Sequence, residues 1–235
     1  MINHSIHIPP FGVDAAFKLF YHKNMNEISL EKLQNDFKNH ELERLKARKA
    51  RDAAILIPLV EDEDGEVSVL FEVRSRKIIQ GGEICFPGGR VEKGEKPEDT
   101  VIRETAEELS IPEDSIKLIA PMFAMNGISD SFIFSYLGSI ADYKHTYSED
   151  EVGSVFTLSI KELLKTEPKH SQAEFVFNKP DDFHYELVPG GIDYHWAKRI
   201  KDYYFYETEH GIIWGMTGEM LHSFIEKVRL QENGS

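Results

Sequence analysis

Glu95, Arg103, Glu104, Glu107 and Glu108 are the residues of this chain whose types and spacing could do chemistry. At 3.6 residues per turn, Glu104, Glu107 and Glu108 stand at i, i+3 and i+4 and share one helix face. Side by side they repel, at roughly 0.2–0.5 kcal/mol per pair. Arg103 is expected to offset one of them. A solvated acidic face is the plain reading of such a run, yet a structural helix gains nothing from it. A divalent cation reverses the sign of the interaction. Hard ions such as Mg²⁺ take carboxylate oxygens and keep positions open for phosphate.

The helix that must position these acids runs from Pro97 to a stop at Ser110, Ile111 and Pro112. Proline is tolerated in the first turn, and Glu98 suits the positive end of the dipole. The residue before Pro112 resists the helical region. Ile102, Ala106 and Leu109 lie opposite the acids and are expected to pack inward. A glycine turn, Gly88-Gly89, precedes the helix and lets backbone approach a ligand closely.

Counted from Gly89, the chain reads glycine, five residues, Glu95, seven residues, Arg103-Glu104, two residues, Glu107-Glu108, then Ser110 and Ile111. This resembles the Nudix box, GX5EX7REUXEEXGU with U a bulky aliphatic. Gly89, Glu95, Arg103, Glu104, Glu107, Glu108 and Ile111 match. Thr105 stands where an aliphatic is expected, and Ser110 replaces the final glycine. Upstream, LFEVRSRKIIQGGEICFPGG looks like the second motif of the coenzyme A diphosphatase branch, LLTxR[SA]x3Rx3Gx3FPGG. Leu70, Arg74, Ser75, Gly82, Phe86, Pro87, Gly88 and Gly89 match. Phe71 and Glu72 depart, the loop is one residue shorter, and the second arginine is missing, with Arg76 or Lys77 as substitutes. The order HW…YYFYE…IIWGMTGEML also resembles the C-terminal portion of that branch.

Length and composition set the frame. The chain has 235 residues, 41% apolar and 29% charged, enough to bury a sizeable core. No apolar run reaches the roughly 20 residues that span a bilayer, and MINHSIHIPPFG lacks a signal pattern, so no membrane is expected. Cys85 is the single cysteine. It excludes an internal disulfide, makes the cytoplasm the expected compartment, and reads as a buried structural thiol. A net charge of −14 argues against nucleic acid as a partner.

Residues 1–50 read as a partly helical extension and 51–230 as the main domain. The helical pattern runs from Ile28 to about Arg51, with Leu30, Leu33 and Phe37 in one packed stripe. Ala53–Val60 and Val67–Val73 read as strands, the second flanked by Glu66 and Glu72. Ile116–Ala124, Phe132–Ile140 and Val155–Leu158 follow as strands. Ile160–Leu164 reads as a short helix capped by Ser159. Tyr203–Tyr206 is β-prone. Gly211 leads into a helix ending near Leu230, and its aromatics read as core.

The fold that the resemblance implies is α/β: an α/β/α sandwich with a mixed central sheet and a loop–helix–loop motif. The activity it implies is metal-dependent hydrolysis of the diphosphate of coenzyme A or an acyl derivative, giving 4′-phosphopantetheine and adenosine 3′,5′-bisphosphate. Glu104, Glu107 and Glu108 would be catalytic and, with Glu95, would hold Mg²⁺ or Mn²⁺. Arg103 would fix a glutamate rotamer. Arg74, Arg76, Gly88 and Gly89 would meet the substrate. Glu151 is a candidate for an additional acid. ADP-ribose, NADH or another nucleoside diphosphate derivative is the alternative substrate. A non-catalytic nucleotide-binding regulator is the alternative role, and an interaction module built on the N-terminal helix is a third. The expected partner is a small molecule, with a homodimer left open.

Overall fold

A computed structural model describes residues 30–39, 50–127, 131–176, 178, 180 and 182–233. They belong to two compact units, Met1–Leu45 and Lys46–Ser235. In the first, helix α1 spans Leu30–Phe37. Leu30 and Leu33 are exposed there rather than packed. Residues 40–49 of the expected long helix lie outside the described residues, and Ala50 and Arg51 are not helical.

The second unit is built on strands β1 (Ala53–Glu61), β2 (Val67–Arg74), β3 (Ile84–Cys85), β4 (Gly88–Arg90), β5 (Ile116–Asn126), β6 (Phe132–Ile140) and β7 (Val152–Ser159). Helix α2 spans Pro97–Leu109 and α3 spans Ile160–Leu163. A second sheet follows, β8 (Lys169–Phe175), β9 (Arg199–Thr208) and β10 (Gly211–Ile213), and then helix α4 (Gly215–Asn233). In the main sheet β1 runs parallel to β6, and the other pairs are antiparallel. The fold is a mixed α/β arrangement with a mixed central sheet, as expected.

One feature of the main sheet positions the site. β1 and β2 pair only near their hairpin, at Leu59↔Val69 through Glu61↔Val67. Farther along they splay. The segment 84–90 wedges into the gap, pairing Ile84 and Cys85 with β2 and Gly88–Arg90 with β1. Leu56 N–H donates to the Pro87 carbonyl at 2.9 Å and closes the middle of the wedge.

Period-2 alternation divides the side chains between two cores. Ala54, Leu56 and Leu70 pack with Val101, Ala106 and Leu109 of α2. Ile57, Val69 and Phe71 pack on the other face with Met220, Leu221, Phe224 and Ile225 of α4. Phe71 is fully buried, stacked between Phe86 and Phe156 at 5.1 and 5.4 Å. Burial of each such side chain contributes about 1.5–3 kcal/mol. Tyr206 and Ile213 of the second sheet join the α4 face. That face is therefore covered by a small sheet as well as a helix, where the sandwich that the resemblance implies has helices.

Ser159 does not cap α3 with its side chain. Its hydroxyl donates instead to Glu66 Oε1, which ties the β2–β7 pairing at the end where Ser68 faces Ser159.

Candidate active site

Helix α2 has Pro97 in its first turn and Glu98 and Asp99 beside it, in accord with the dipole. Its end is a left-handed residue, Ser110, at φ 53° and ψ 47°. Ile111 N–H donates to the Ala106 carbonyl at 3.0 Å, which closes the last turn. The loop before β7 satisfies two further carbonyls. Ser148 N–H donates to the Glu108 carbonyl at 2.8 Å, and Thr146 Oγ1 to the Leu109 carbonyl at 2.7 Å.

The acids do not share one solvated face. Glu107 is exposed, with 64% of its side chain open, while Glu108 is 4% exposed. Glu104 lies between these extremes. Val101, Thr105, Ala106 and Leu109 fill the buried stripe, with Ile102 half-buried at its border.

Arg103 meets more acids than the spacing suggested. Its Nε and Nη2 fork onto Glu95 at 2.9 and 3.1 Å. Its Nη1 reaches Glu104 at 2.9 Å and Glu107 at 3.5 Å. Glu95 also accepts Glu92 N–H at 3.0 Å. The Arg103 hydrogen bonds, aided by this one, hold the Glu95 carboxyl down to about 2.

The two glycines of the wedge explain how the helix acids come so close to the sheet. Gly88 N–H donates to Glu108 Oε2 at 2.7 Å. Gly88 has φ 142°, and a Cβ on it would lie 2.3 Å from the Ala54 carbonyl oxygen. A Cβ on Gly89 would lie 2.2 Å from the Glu104 carboxyl. The close approach that these glycines permit in the structure is to Glu104 and to the β1 backbone.

The sequence reading missed Glu72. It appeared there as a residue flanking a strand, whereas it is 2% exposed inside β2. It shares the α2 side of the sheet with Leu70 by alternation, and Cys85 and Val155 are its partners on the neighbouring strands. Cys85 Sγ donates to Glu72 Oε1 at 3.3 Å, while Oε2 has no hydrogen-bond partner. A carboxylate within the otherwise apolar run VLFEV was the available signal, because burial of a charge is expensive.

Burial dominates the electrostatics. It pushes Glu72 up to about 7. Burial, and then the charge of Glu72, pushes Glu108 up to about 9. Burial also raises Glu104, against the pull of Arg103. Burial and the charge of Glu72 raise the Cys85 thiol, which fits a structural and not a nucleophilic sulfur. Glu151 is exposed in the turn before β7, and its charge acts on Glu72, Glu104 and Glu108. It is thus within electrostatic reach of the cluster.

Arg74 Nε donates to the Ile79 carbonyl at 3.3 Å and braces the loop that leads into the wedge. Arg76 is exposed in that loop.

The donor set suits a hard divalent cation. Its oxygens are carboxylates, one of them buried without a partner. Among the described residues no three such side chains already converge on one point. Arg103 holds Glu104 and Glu107, and Gly88 N–H holds Glu108, so the acids sit on separate partners.

The profile of the NUDIX domain matches residues 50–178. Nudix hydrolase 3 of Caenorhabditis elegans is 30% identical over 179 residues, 72% of this chain and 70% of its own. The Nudix hydrolase NudL of Citrobacter koseri is 31% identical over 118 residues, 49% of this chain and 60% of its own. Among solved structures, a MutT/nudix family protein from Enterococcus faecalis aligns over 91% of this chain and 73% of its own, with 16% identity and a TM-score of 0.43. The chain belongs to the Nudix hydrolase family. It is an enzyme of that family.

Proposed function

We propose that this enzyme hydrolyses the diphosphate bond of coenzyme A or an acyl derivative, giving 4′-phosphopantetheine and adenosine 3′,5′-bisphosphate. The observation that carries the substrate choice is the segment from Arg74 to Gly89. It resembles the second motif of the coenzyme A diphosphatase branch, and in the fold it lies beside the acids. Gly82 N–H donates to the Arg74 carbonyl and Arg74 N–H to the Glu83 carbonyl, both at 2.9 Å, so the loop returns on itself into the wedge.

Glu104, Glu107 and Glu108 would hold Mg²⁺ or Mn²⁺, with Glu95 as a further ligand or an orienting acid. The bound ion supplies charge neutralisation at the diphosphate and a water acidic enough to attack phosphorus. The protein supplies alignment. Gly88 N–H points Glu108 Oε2. Arg103 fixes Glu95 and Glu104. Arg74 and Arg76 would meet phosphate oxygens outside the ion's reach. Glu151 would take a proton from the attacking water. The substrate is a small anionic molecule of the cytosol.

Assay of the purified chain with Mg²⁺ against coenzyme A, acetyl-coenzyme A, ADP-ribose and NADH tests the reading. Coenzyme A or its acetyl form is expected to have the highest kcat/KM. ADP-ribose or NADH outpacing both would overturn the substrate choice. Glu107→Gln is expected to lower kcat at least about 10²-fold with an unchanged Tm. Undiminished turnover would overturn the metal assignment.

A further inference from the structure

The matched Nudix motif assigns no role to the strand β2. Yet Glu72 stands there in the cluster, and its position calls for an explanation. A buried polar atom is almost always hydrogen-bonded, and a buried carboxylate oxygen without a donor is costly. Glu72 Oε2 is such an atom. Arg74, two residues on and within charge reach of Glu72, directs its Nε to the Ile79 carbonyl. Cys85 Sγ–H satisfies Oε1 only. The strand registers place Glu72 on the α2 side, directly across from Cys85. Three residues after Cys85, Gly88 holds Glu108 Oε2. One wall of the sheet thus presents the orphan oxygen of Glu72 on the side that receives Glu104 and Glu108.

We infer that Glu72 is a further ligand of the divalent cation, entering from β2 opposite the helix acids, with Cys85 orienting it through the thiol hydrogen bond. The inference rests on the metal-dependent reading above. It accounts for the cost of Glu72: the partner that Oε2 lacks is the cation. It also gives Cys85 a positioning role, since donation to Oε1 leaves Oε2 free. A purely structural Glu72 would be expected to have both oxygens matched by donors.

The test uses the full chain and Mn²⁺ alone. Mn²⁺ affinity is measured by electron paramagnetic resonance and calorimetry for wild type, Glu72→Gln, Glu72→Asp and Glu107→Gln. Tm is recorded with and without the ion. Glu72→Gln is expected to weaken Mn²⁺ binding at least about 10-fold. Its metal-free Tm should not fall below wild type, and its gain in Tm on adding Mn²⁺ should shrink. Glu72→Asp keeps the charge but withdraws the carboxylate by one carbon, and should lose affinity too. It decides the matter if the glutamine variant does not fold. A lowered metal-free Tm with wild-type Mn²⁺ affinity in the folded variant would overturn the inference and make Glu72 structural. If Glu107→Gln loses Mn²⁺ while both Glu72 variants keep it, the inference fails and the Nudix reading stands. If wild type binds no Mn²⁺, the reading itself fails.

Discussion

Gly88 and Gly89 are neighbours in sequence and are required for different reasons. A side chain at Gly88 would strike the β1 backbone, at 2.3 Å from a carbonyl oxygen that cannot move without breaking the pairing. Gly88→Ala is expected to cost about 3 kcal/mol in urea unfolding. A side chain at Gly89 would strike the Glu104 carboxyl, the movable end of a side chain. Gly89→Ala should therefore fold with nearly wild-type Tm and lose about 10²-fold in kcat, because the displaced acid is part of the proposed site. Glu95 contributes to the acid limb of stability. Its folded-state value of about 2 lies below the ordinary 4.5. Its contribution is therefore complete above about pH 4.5 and is lost as pH falls toward 2. Glu95→Gln should flatten the fall of Tm between those values. A slope unchanged from wild type would show that Arg103 does not hold it so.

At the scale of the element, α2 ends on a serine in a conformation that costs L-residues about 1 kcal/mol. Ser110→Gly is expected to raise stability by about 0.5 kcal/mol, allowing for glycine's greater freedom when unfolded. Helix α2 itself was legible, because Pro97, the acid spacing and Pro112 each act locally. The fork of Arg103 onto Glu95 was not, since it depends on how the loop 91–96 folds back over eight positions of sequence. The wedge was equally hidden. β3 and β4 have two and three residues, too few to show any alternation. Glu72 was misread for the same reason: its burial is decided by Cys85 and Val155 on strands that local sequence cannot pair with β2. Lys169–Phe175 reads KHSQAEF, mostly polar, and its partnership with β9 supplies the strand that its own composition conceals.

Across the whole second unit, the two helices that cover the main sheet are secured differently. The carbonyls at the end of α2 are met by the loop before β7. α4 is fastened by Arg229, which donates to the carbonyls of Leu164 and Thr166 at 2.8 and 3.3 Å and pairs with Glu226 at 2.7 Å. Arg229→Ala should lower global stability by about 2 kcal/mol in denaturant titration while leaving Mn²⁺ affinity unchanged, since no residue of the acid cluster touches it. The same economy of long-distance ties governs Glu108. Its carboxyl is gripped by an amide from position 88 and its carbonyl by an amide from position 148, two segments far apart in the chain. Each amide is protected by a bond to the same residue of α2. In a deuterium-labelling experiment, Gly88 and Ser148 would then serve as paired reporters, fading from the spectrum at one common rate.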